Sequence, residues 1–450
     1  MTSELTMAIS LAEGMRRDAL LAVEASLDAA HPSVLVRNAL RLEGDRLTAG
    51  DSEYRLAGRG RVLVVGGGKA SGLMAVEVAR ILGDRIDHGV VIVPEYQRSL
   101  PKLEKVKFAR STHPLPSEKG VRAVRKMLEV LSDARSGDLV IALVSGGGSA
   151  LMPLPAEGVT VGELELTTSL LLRAGAAIGE INCVRKHLSR VSGGRLVERV
   201  RGADVLTLMI SDVVGDDPSS VASGPTVPDP TTFADARRAL KARKVWDAVP
   251  TSVRKVIQGG IAGTIKETPK PGNAMFARVS NVVVGTNAVA CSAARVSLER
   301  AGYRVSSLLG SVTGEARAVG RRLALLARSG GGTSPWATVW GGETTVTVRG
   351  SGVGGRNQEF ALAAAIYLKD SSRTTIVSFG TDGIDGATRA AGAIADSTTF
   401  QRAKVAGLDP SRFLHDNDSF SFFRSLGDLV VTGPTGTNVN DVMFAIREKG

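Results

Sequence analysis

Five runs of β-branched and aliphatic residues in this chain stop abruptly in a small, glycine-rich or Asp-Gly loop. They are Arg61 to Lys69 (RVLVVGGGK), Leu139 to Ser149 (LVIALVSGGGS), Val205 to Gly215 (VLTLMISDVVG), Thr375 to Gly383 (TIVSFGTDG) and Asp428 to Gly436 (DLVVTGPTG). Continuous apolar runs of this length are the pattern of parallel strands buried on both faces. In open α/β sheets, ligands bind at the carboxyl ends of such strands. Small residues there let backbone N–H groups approach an anion with no Cβ in the way. The pattern therefore predicts an α/β protein that holds a phosphorylated small molecule.

The segments between these runs support that fold. A strand at 61–65 leads into a helix through Ser71 to Val76. A strand at 89–94 precedes a helix at 118–132, and a helical region at 160–199 separates the strands at 139–144 and 205–210. This βαβ alternation predicts a parallel sheet with helices on both faces. The Pro- and charge-rich segment from Glu267 to Asn273 (ETPKPGN) marks a boundary. Two α/β domains are expected, 1–270 and 271–450. In the second, strands at 279–285 and 303–308 flank a helix at 288–301, and 337–343 and 344–349 look like paired strands.

Composition narrows the function class. Hydrophobic residues make up 43% of the 450 residues but aromatics only 4%, so Val, Leu, Ile and Ala must fill a large core. The net charge of +11 is spread along the chain without interleaved aromatics, which argues against a nucleic-acid surface. Glu4 and Glu13 interrupt the start of the chain, so it does not read as a secretory signal. No stretch reaches about 18 consecutive apolar residues, so no transmembrane span is predicted. Leu11, Met15, Ala19, Ala22 and Val23 fall on one helical face, an ordinary packed helix. Cys183 and Cys291 cannot build a disulfide framework and read as reduced structural thiols of a cytoplasmic protein.

The loops fail several familiar tests. Gly66-Gly67-Gly68-Lys69-Ala70 is not a Walker A loop, because Lys69 is followed by Ala70 and Leu63 stands where that motif needs its first glycine. Gly66, Gly68 and Ser71 nearly fit a dinucleotide fingerprint, with Glu95 ending the next strand. Ser145 has Leu143 two residues before it, which rules out a hydrolase elbow. None of the five histidines shows triad or metal spacing. What remains is anion binding. Lys69, beside three glycines and just before a helix start, adds a full charge to the positive end of the helix dipole. The Ser145–Ser149 segment reads as a backbone nest assisted by hydroxyls.

Carboxylates end two of the strands. Asp212 and Asp382 can position Mg²⁺ or accept a hydroxyl proton, or can simply cap a helix or close an Asx turn. Asp216, Asp217, Asp385 and Asp396 are weaker candidates for the same work. Arg356 opens an apolar helix from a glycine loop. There the dipole repels it unless an anion or a carboxylate such as Glu343 or Glu359 compensates.

With these segments in order, the chain resembles the glycerate 2-kinase family, whose C-terminal half carries the MOFRL domain. The resemblance runs from about residue 60 to the C-terminus. It rests on GGGKAS around Lys69, SGGGS at 145–149, NCVRKHLS at 182–189, SDVVGDDP from Ser211, ASGPT at 222–226, GGE ending at Glu343, GRNQE around Arg356, GTDGIDG at 380–386 and TGPTGTNVND ending at Asp441. It implies Mg²⁺-dependent transfer of the ATP γ-phosphoryl group to the 2-hydroxyl of D-glycerate, giving 2-phosphoglycerate. It also implies a Rossmann-like N-terminal domain, a MOFRL-type α/β C-terminal domain and an active site in the cleft between them. Lys69 and Arg356 take the family's prominent cationic positions, and with Asp212 they are the expected catalytic residues. Substrate and nucleotide contacts are expected from Gly67, Gly68, Ser71, Ser145, Gly146, Gly147, Gly148, Ser149, Arg185, Gly215, Gly224, Glu343, Asn357, Thr437 and Asn438. Asp212, Asp382 and Asp441 are the expected Mg²⁺ ligands. The expected partners are the two small substrates, D-glycerate and ATP, with neither nucleic acid nor membrane involved; a homodimer is compatible with this reading. Some relatives carry the label hydroxypyruvate reductase, so an NAD(P)H-dependent reductase stands as the alternative.

Overall fold

Valines and leucines without a polar alternation need cover on two sides, and the chain supplies it. In the computed structural model, which describes residues 3–58, 60–329, 334–369, 371 and 373–448, Val62–Val65 and Leu139–Val144 are buried at every position. They form strands β1 (Val62–Gly67) and β4 (Leu139–Ser145). With β2 (His88–Pro94), β3 (Val106–Ser111), β5 (Asp204–Ile210) and β6 (Val279–Gly285) they make a six-stranded sheet of order β3-β2-β1-β4-β5-β6. The pairings from β3 through β5 are all parallel. Helix Glu118–Ser132 packs its Val121, Val124, Met127 and Leu131 on the face carrying Leu63, Val65 and Ile92. Helix Ser71–Leu82 covers the other face, with Gly72 against Val93.

The chain divides into two compact units, 32–284 and 1–31 with 285–450. The sequence reading placed its boundary at 270/271. Val279–Gly285, read as the opening strand of the second domain, is the edge strand of the first sheet. The N-terminal helix Gly14–Ala29 packs in the second unit against Asn287–Arg300. Tyr303 Oη donates to Asp18 at 2.9 Å, and Arg16 bridges Asp396 and Asp428 at 2.8 and 2.6 Å. Ala19, Ala22 and Val23 form the buried stripe as expected. Leu11 instead ends a separate helix, Ser3–Leu11, and is 73% exposed.

The second unit is built on β7 (Arg304–Glu315), β8 (Trp336–Thr345), β9 (Thr374–Gly380), β10 (Gly392–Asp396), β11 (Leu429–Val430) and β12 (Asp441–Arg447), in the order β7-β8-β12-β9-β10-β11. β7 and β8 are parallel and the remaining pairings antiparallel. Of the expected paired strands 337–343 and 344–349, residues up to Thr345 lie in one strand, β8, between β7 and β12, and 346–349 lie outside it. Gly341 and Gly342 within it are close-approach positions: a Cβ at 341 would overlap Asn287 and one at 342 the Val312 backbone. Helix Arg356–Leu368 buries every residue from Asn357 to Ala365, which places Arg356 at the rim of a dry helix.

Candidate active site

The strand order β3-β2-β1-β4-β5-β6 reverses direction between β1 and β4, the position at which open α/β sheets hold ligands. The loops leaving these two strands are stitched together. Lys69 N donates to Gly146 O at 2.9 Å, Ala70 N to Ser145 Oγ at 3.0 Å and Ser71 Oγ to Leu143 O at 3.0 Å. The Ser71 and Ser145 hydroxyls lie 3.2 Å apart, and both side chains are buried. These two serines, expected to touch a ligand, frame the loop. Gly67 likewise faces inward, toward Met152 and Ile92, and Gly68 lies against Ser145.

The outer part of the site is Gly146, Gly147, Gly148 and Ser149. A Cβ at Gly146 would overlap the carboxylate of Asp212, so Asp212 from the end of β5 lies directly on this loop. A Cβ at Gly147 would sit 2.8 Å from His113 Nε2 and 3.1 Å from Lys69 Cγ. One glycine thus has an imidazole and the lysine stem as neighbours. His113 carried no spacing signal in the sequence; it arrives from the loop after β3. Ser149 Oγ is 2.8 Å from Ser223 Oγ, which donates to Asn182 Oδ1 at 3.3 Å. Gly224 is left-handed beside it, as is Gly215 beyond Asp212.

Arg185 sits on helix Ile178–His187, one turn beyond Asn182. Among the described residues it donates to the neutral Thr168 Oγ1 at 3.4 Å, with no carboxylate within ion-pair distance. Burial alone lowers its pKa. A largely buried guanidinium without a counter-charge costs free energy that a bound anion would offset.

The second unit presents a different arrangement. Arg356 Nε and Nη2 donate to Asp441 Oδ2 and Oδ1 at 2.6 and 2.9 Å, and Nη1 lies 3.0 Å from Glu343 Oε1. Burial opposes the charge of Arg356, but Asp441 outweighs it and holds the guanidinium above its ordinary value. Asp441 is fully buried, and that burial raises its pKa despite Arg356. Of the carboxylates expected to compensate Arg356, Glu343 does so, whereas Glu359 is engaged by Arg317 and Asn417. Asp385 accepts from Asn357 N, Gln358 N and both side-chain amides, capping the Arg356 helix. Burial pushes Asp385 up to about 6, with its N–H donors opposing.

Asn357 is buried and accepts from Ser378 Oγ at 2.6 Å. Asp382 closes an Asx turn onto Ile384 N and lies near Asp441, both within 3.4 Å of a Cβ built at Gly380. Asn438 accepts from Asn440 N at 3.0 Å. Thr437 is buried, and its hydroxyl lacks a partner. Of the weaker acidic candidates, Asp217 holds the Ser219–Ser220 turn and Asp396 pairs with Arg16. Cys183 and Cys291 are free and buried, and burial pushes the Cys291 thiol up to about 12. Among the described residues no group of three or more His, Cys, Asp or Glu side chains is arranged to hold a metal ion. No single described helix is long and apolar enough to cross a membrane.

Comparison with known proteins completes the description. Residues 18–258 match the family described as a domain of unknown function, DUF4147, and residues 336–441 match the MOFRL family. Over 443 residues the chain is 40% identical to a glycerate 2-kinase of Pyrococcus horikoshii, spanning 97% of this chain and 98% of that protein. Over 393 residues it is 41% identical to a putative hydroxypyruvate reductase of Agrobacterium vitis, spanning 85% and 86%. The crystal structure of a glycerate kinase from Thermotoga maritima covers 96% of this chain and 99% of its own at 36% identity, with a TM-score of 0.83.

Proposed function

Since this chain belongs to the glycerate 2-kinase family, a family of phosphotransferases, we propose that it transfers the γ-phosphoryl group of ATP to the 2-hydroxyl of D-glycerate. The observation that supports this reading is the placement of Lys69 beside the Gly146–Ser149 loop at the switch point of the parallel sheet. Phosphoryl transfer asks a protein for positioning and for charge where charge develops. Lys69 supplies the positive charge, and the glycine loop supplies access without side chains. Arg185 adds a cation lacking a carboxylate of its own. Arg356 serves as a second catalytic cation, held in one orientation by Asp441 and Glu343. Gly68, Gly215 and Gly224 belong to the loops around Lys69 and Asp212, and Asn357 and Thr437 to the segments beside Arg356 and Asp441.

A magnesium ion carried on nucleotide phosphates needs only one or two protein carboxylates. Asp212, lying on the glycine loop, fits that need. Asp441 fits it poorly, because both its oxygens accept from Arg356. When bound, the ion would neutralise phosphate charge. Asp212 would orient the attacking hydroxyl or hold the ion, and the loop residues bind and position.

The test is direct. The protein is mixed with D-glycerate and MgATP, and in parallel with hydroxypyruvate and NADH. ADP release that depends on glycerate, with 2-phosphoglycerate as product by phosphorus NMR, is expected. NADH consumption without ADP release overturns the reading. The reductase alternative would use Glu95 to bind a ribose, and that carboxylate is paired with Lys119.

A further inference from the structure

Residues 222–224 form an unusual segment beside the glycine loop. Ala222, Ser223 and Gly224 are all left-handed, at φ 49°, 58° and 59°. A run of left-handed residues that are not glycine is disfavoured and persists only where its surroundings enforce it. Here they do. Ser223 O and Gly224 O accept from Gly193 N and Gly194 N at 3.0 and 2.8 Å. The turn has two effects on the loop. It sets Ala222 against Gly148, where a Cβ would approach Ala222 Cβ to 2.5 Å. It also aims the buried Ser223 hydroxyl between Asn182 and Ser149. Ser149 is the part-exposed end of this chain of three side chains, and Ser223 and Asn182 are the buried ones.

We propose that Ser223 is a positioning residue for the phosphoryl-transfer reaction: with its own proton given to Asn182 Oδ1 it accepts from Ser149, fixing the Ser149 oxygen so that it accepts a hydrogen bond from a hydroxyl of the substrate. This rests on the reading of the Gly146–Ser149 loop as the anion site. A hydroxyl both donates and accepts, so Ser223 can hold Asn182 on one side and Ser149 on the other. Alanine at 223 cannot. The strain of the turn is the cost of carrying a side chain at that point, which alanine would share and glycine would not.

The experiment measures kcat/KM and the melting temperature for Ser149→Ala, Ser223→Ala, Ser223→Gly and the Ser149→Ala/Ser223→Ala double variant of the full chain. Glycine at 223 relieves the left-handed strain while removing the same hydroxyl, so it keeps the test alive if the alanine variant folds poorly. Each single variant is expected to lose roughly tenfold in kcat/KM, the scale of one orienting hydrogen bond. Ser223→Gly should melt above Ser223→Ala without regaining activity. The double variant should be no worse than Ser149→Ala alone, because both changes remove one pathway. Multiplying losses in the double variant, or activity that follows melting temperature, would overturn the proposal. So would parent-like Ser223 variants beside an impaired Ser149→Ala, which leaves the anion-loop reading standing. Parent-like kinetics in all four variants would overturn both.

Discussion

Arg356 grips Asp441 with two parallel hydrogen bonds, Nε to Oδ2 at 2.6 Å and Nη2 to Oδ1 at 2.9 Å, although the residues stand 85 positions apart. The fork geometry suits arginine and no other cation. It also fixes what a substitution does. Arg356→Ala leaves a fully buried carboxylate without its partner, which costs about 3–5 kcal/mol. The variant should therefore unfold at markedly lower denaturant as well as lose activity. Arg356→Lys keeps the charge but loses one of the two bonds, so it should fall between. An unfolding midpoint for Arg356→Ala equal to the parent's would refute the structural half of this role.

Lys69 permits a cleaner experiment. Its side chain lies by the Gly147 backbone at the mouth of the loop, and the residue is part-exposed. Lys69→Ala should lower kcat/KM by about 2–4 kcal/mol, the range for losing one electrostatic donor. The unfolding free energy is measured alongside, so that a loss of fold is told apart from a loss of catalysis. Steady-state kinetics alongside a denaturant titration checks both. Full activity removes Lys69 from the mechanism.

Gly146 tests the loop itself. A methyl at 146 overlaps the Asp212 carboxylate, so that side chain or the loop must shift. Gly146→Ala should displace Asp212 or the loop by about an ångström, a shift that can cost on the order of a hundredfold in turnover. The sheet below should remain intact by circular dichroism. Gly162, where an added Cβ meets nothing, is the control position, and Gly162→Ala should be parent-like.

Why these predictions could be framed from so little is a matter of distance along the chain. The strands β1, β4 and β5 and their loops were legible because burial on both faces leaves an unbroken apolar run ending at the ligand side. The placement of the Lys69 and SGGGS loops at the ends of β1 and β4 was legible for the same reason. The Arg356–Asp441 pair was not, since nothing local marks which carboxylate will meet a guanidinium 85 residues away. Nor were the contacts of His113 and Ser223, which backbone turns bring to Gly147 and Ser149. Residues 337–345 were read as parts of two strands, yet Gly341 and Gly342 lie inside one, where they serve close approach to Asn287 and Val312. The sixth strand was assigned to the wrong sheet because a Pro-rich boundary signal at 267–273 marks a loop, and a loop is not always a domain border.

The His187 imidazole gives a pH dependence that is independent of catalysis. Its ring is buried, edge-on to Phe233, and both nitrogens face acceptors: Nδ1 lies 2.7 Å from Cys183 O, and Nε2 lies 2.9 Å from Glu267 Oε1. Asp229 stands 3.9 Å from Nε2. Lys186 lies 3.6 Å from Asp229, and Lys270 lies 3.4 Å from Glu267. Two acceptors require two protons on the ring. Burial opposes that charge, but the bonds to Cys183 and Glu267 outweigh it and raise the ring to about 9. Glu267 also is opposed by burial, yet His187 and two backbone N–H groups hold it near 2. A histidine raised in the folded state contributes stability that is full below its unfolded value of about 6.5 and is lost as pH rises toward 9. The loss amounts to about 3 kcal/mol at most. The glutamate's share is present above about 4.3 and disappears as pH falls toward 2. Unfolding free energy should thus be highest near pH 5–6 and decline from pH 6.5 to 9. His187→Gln should start lower and lose that decline. A parent curve flat from pH 6 to 9, or a variant curve that keeps the parent's slope, would show that the ring is not held as an imidazolium.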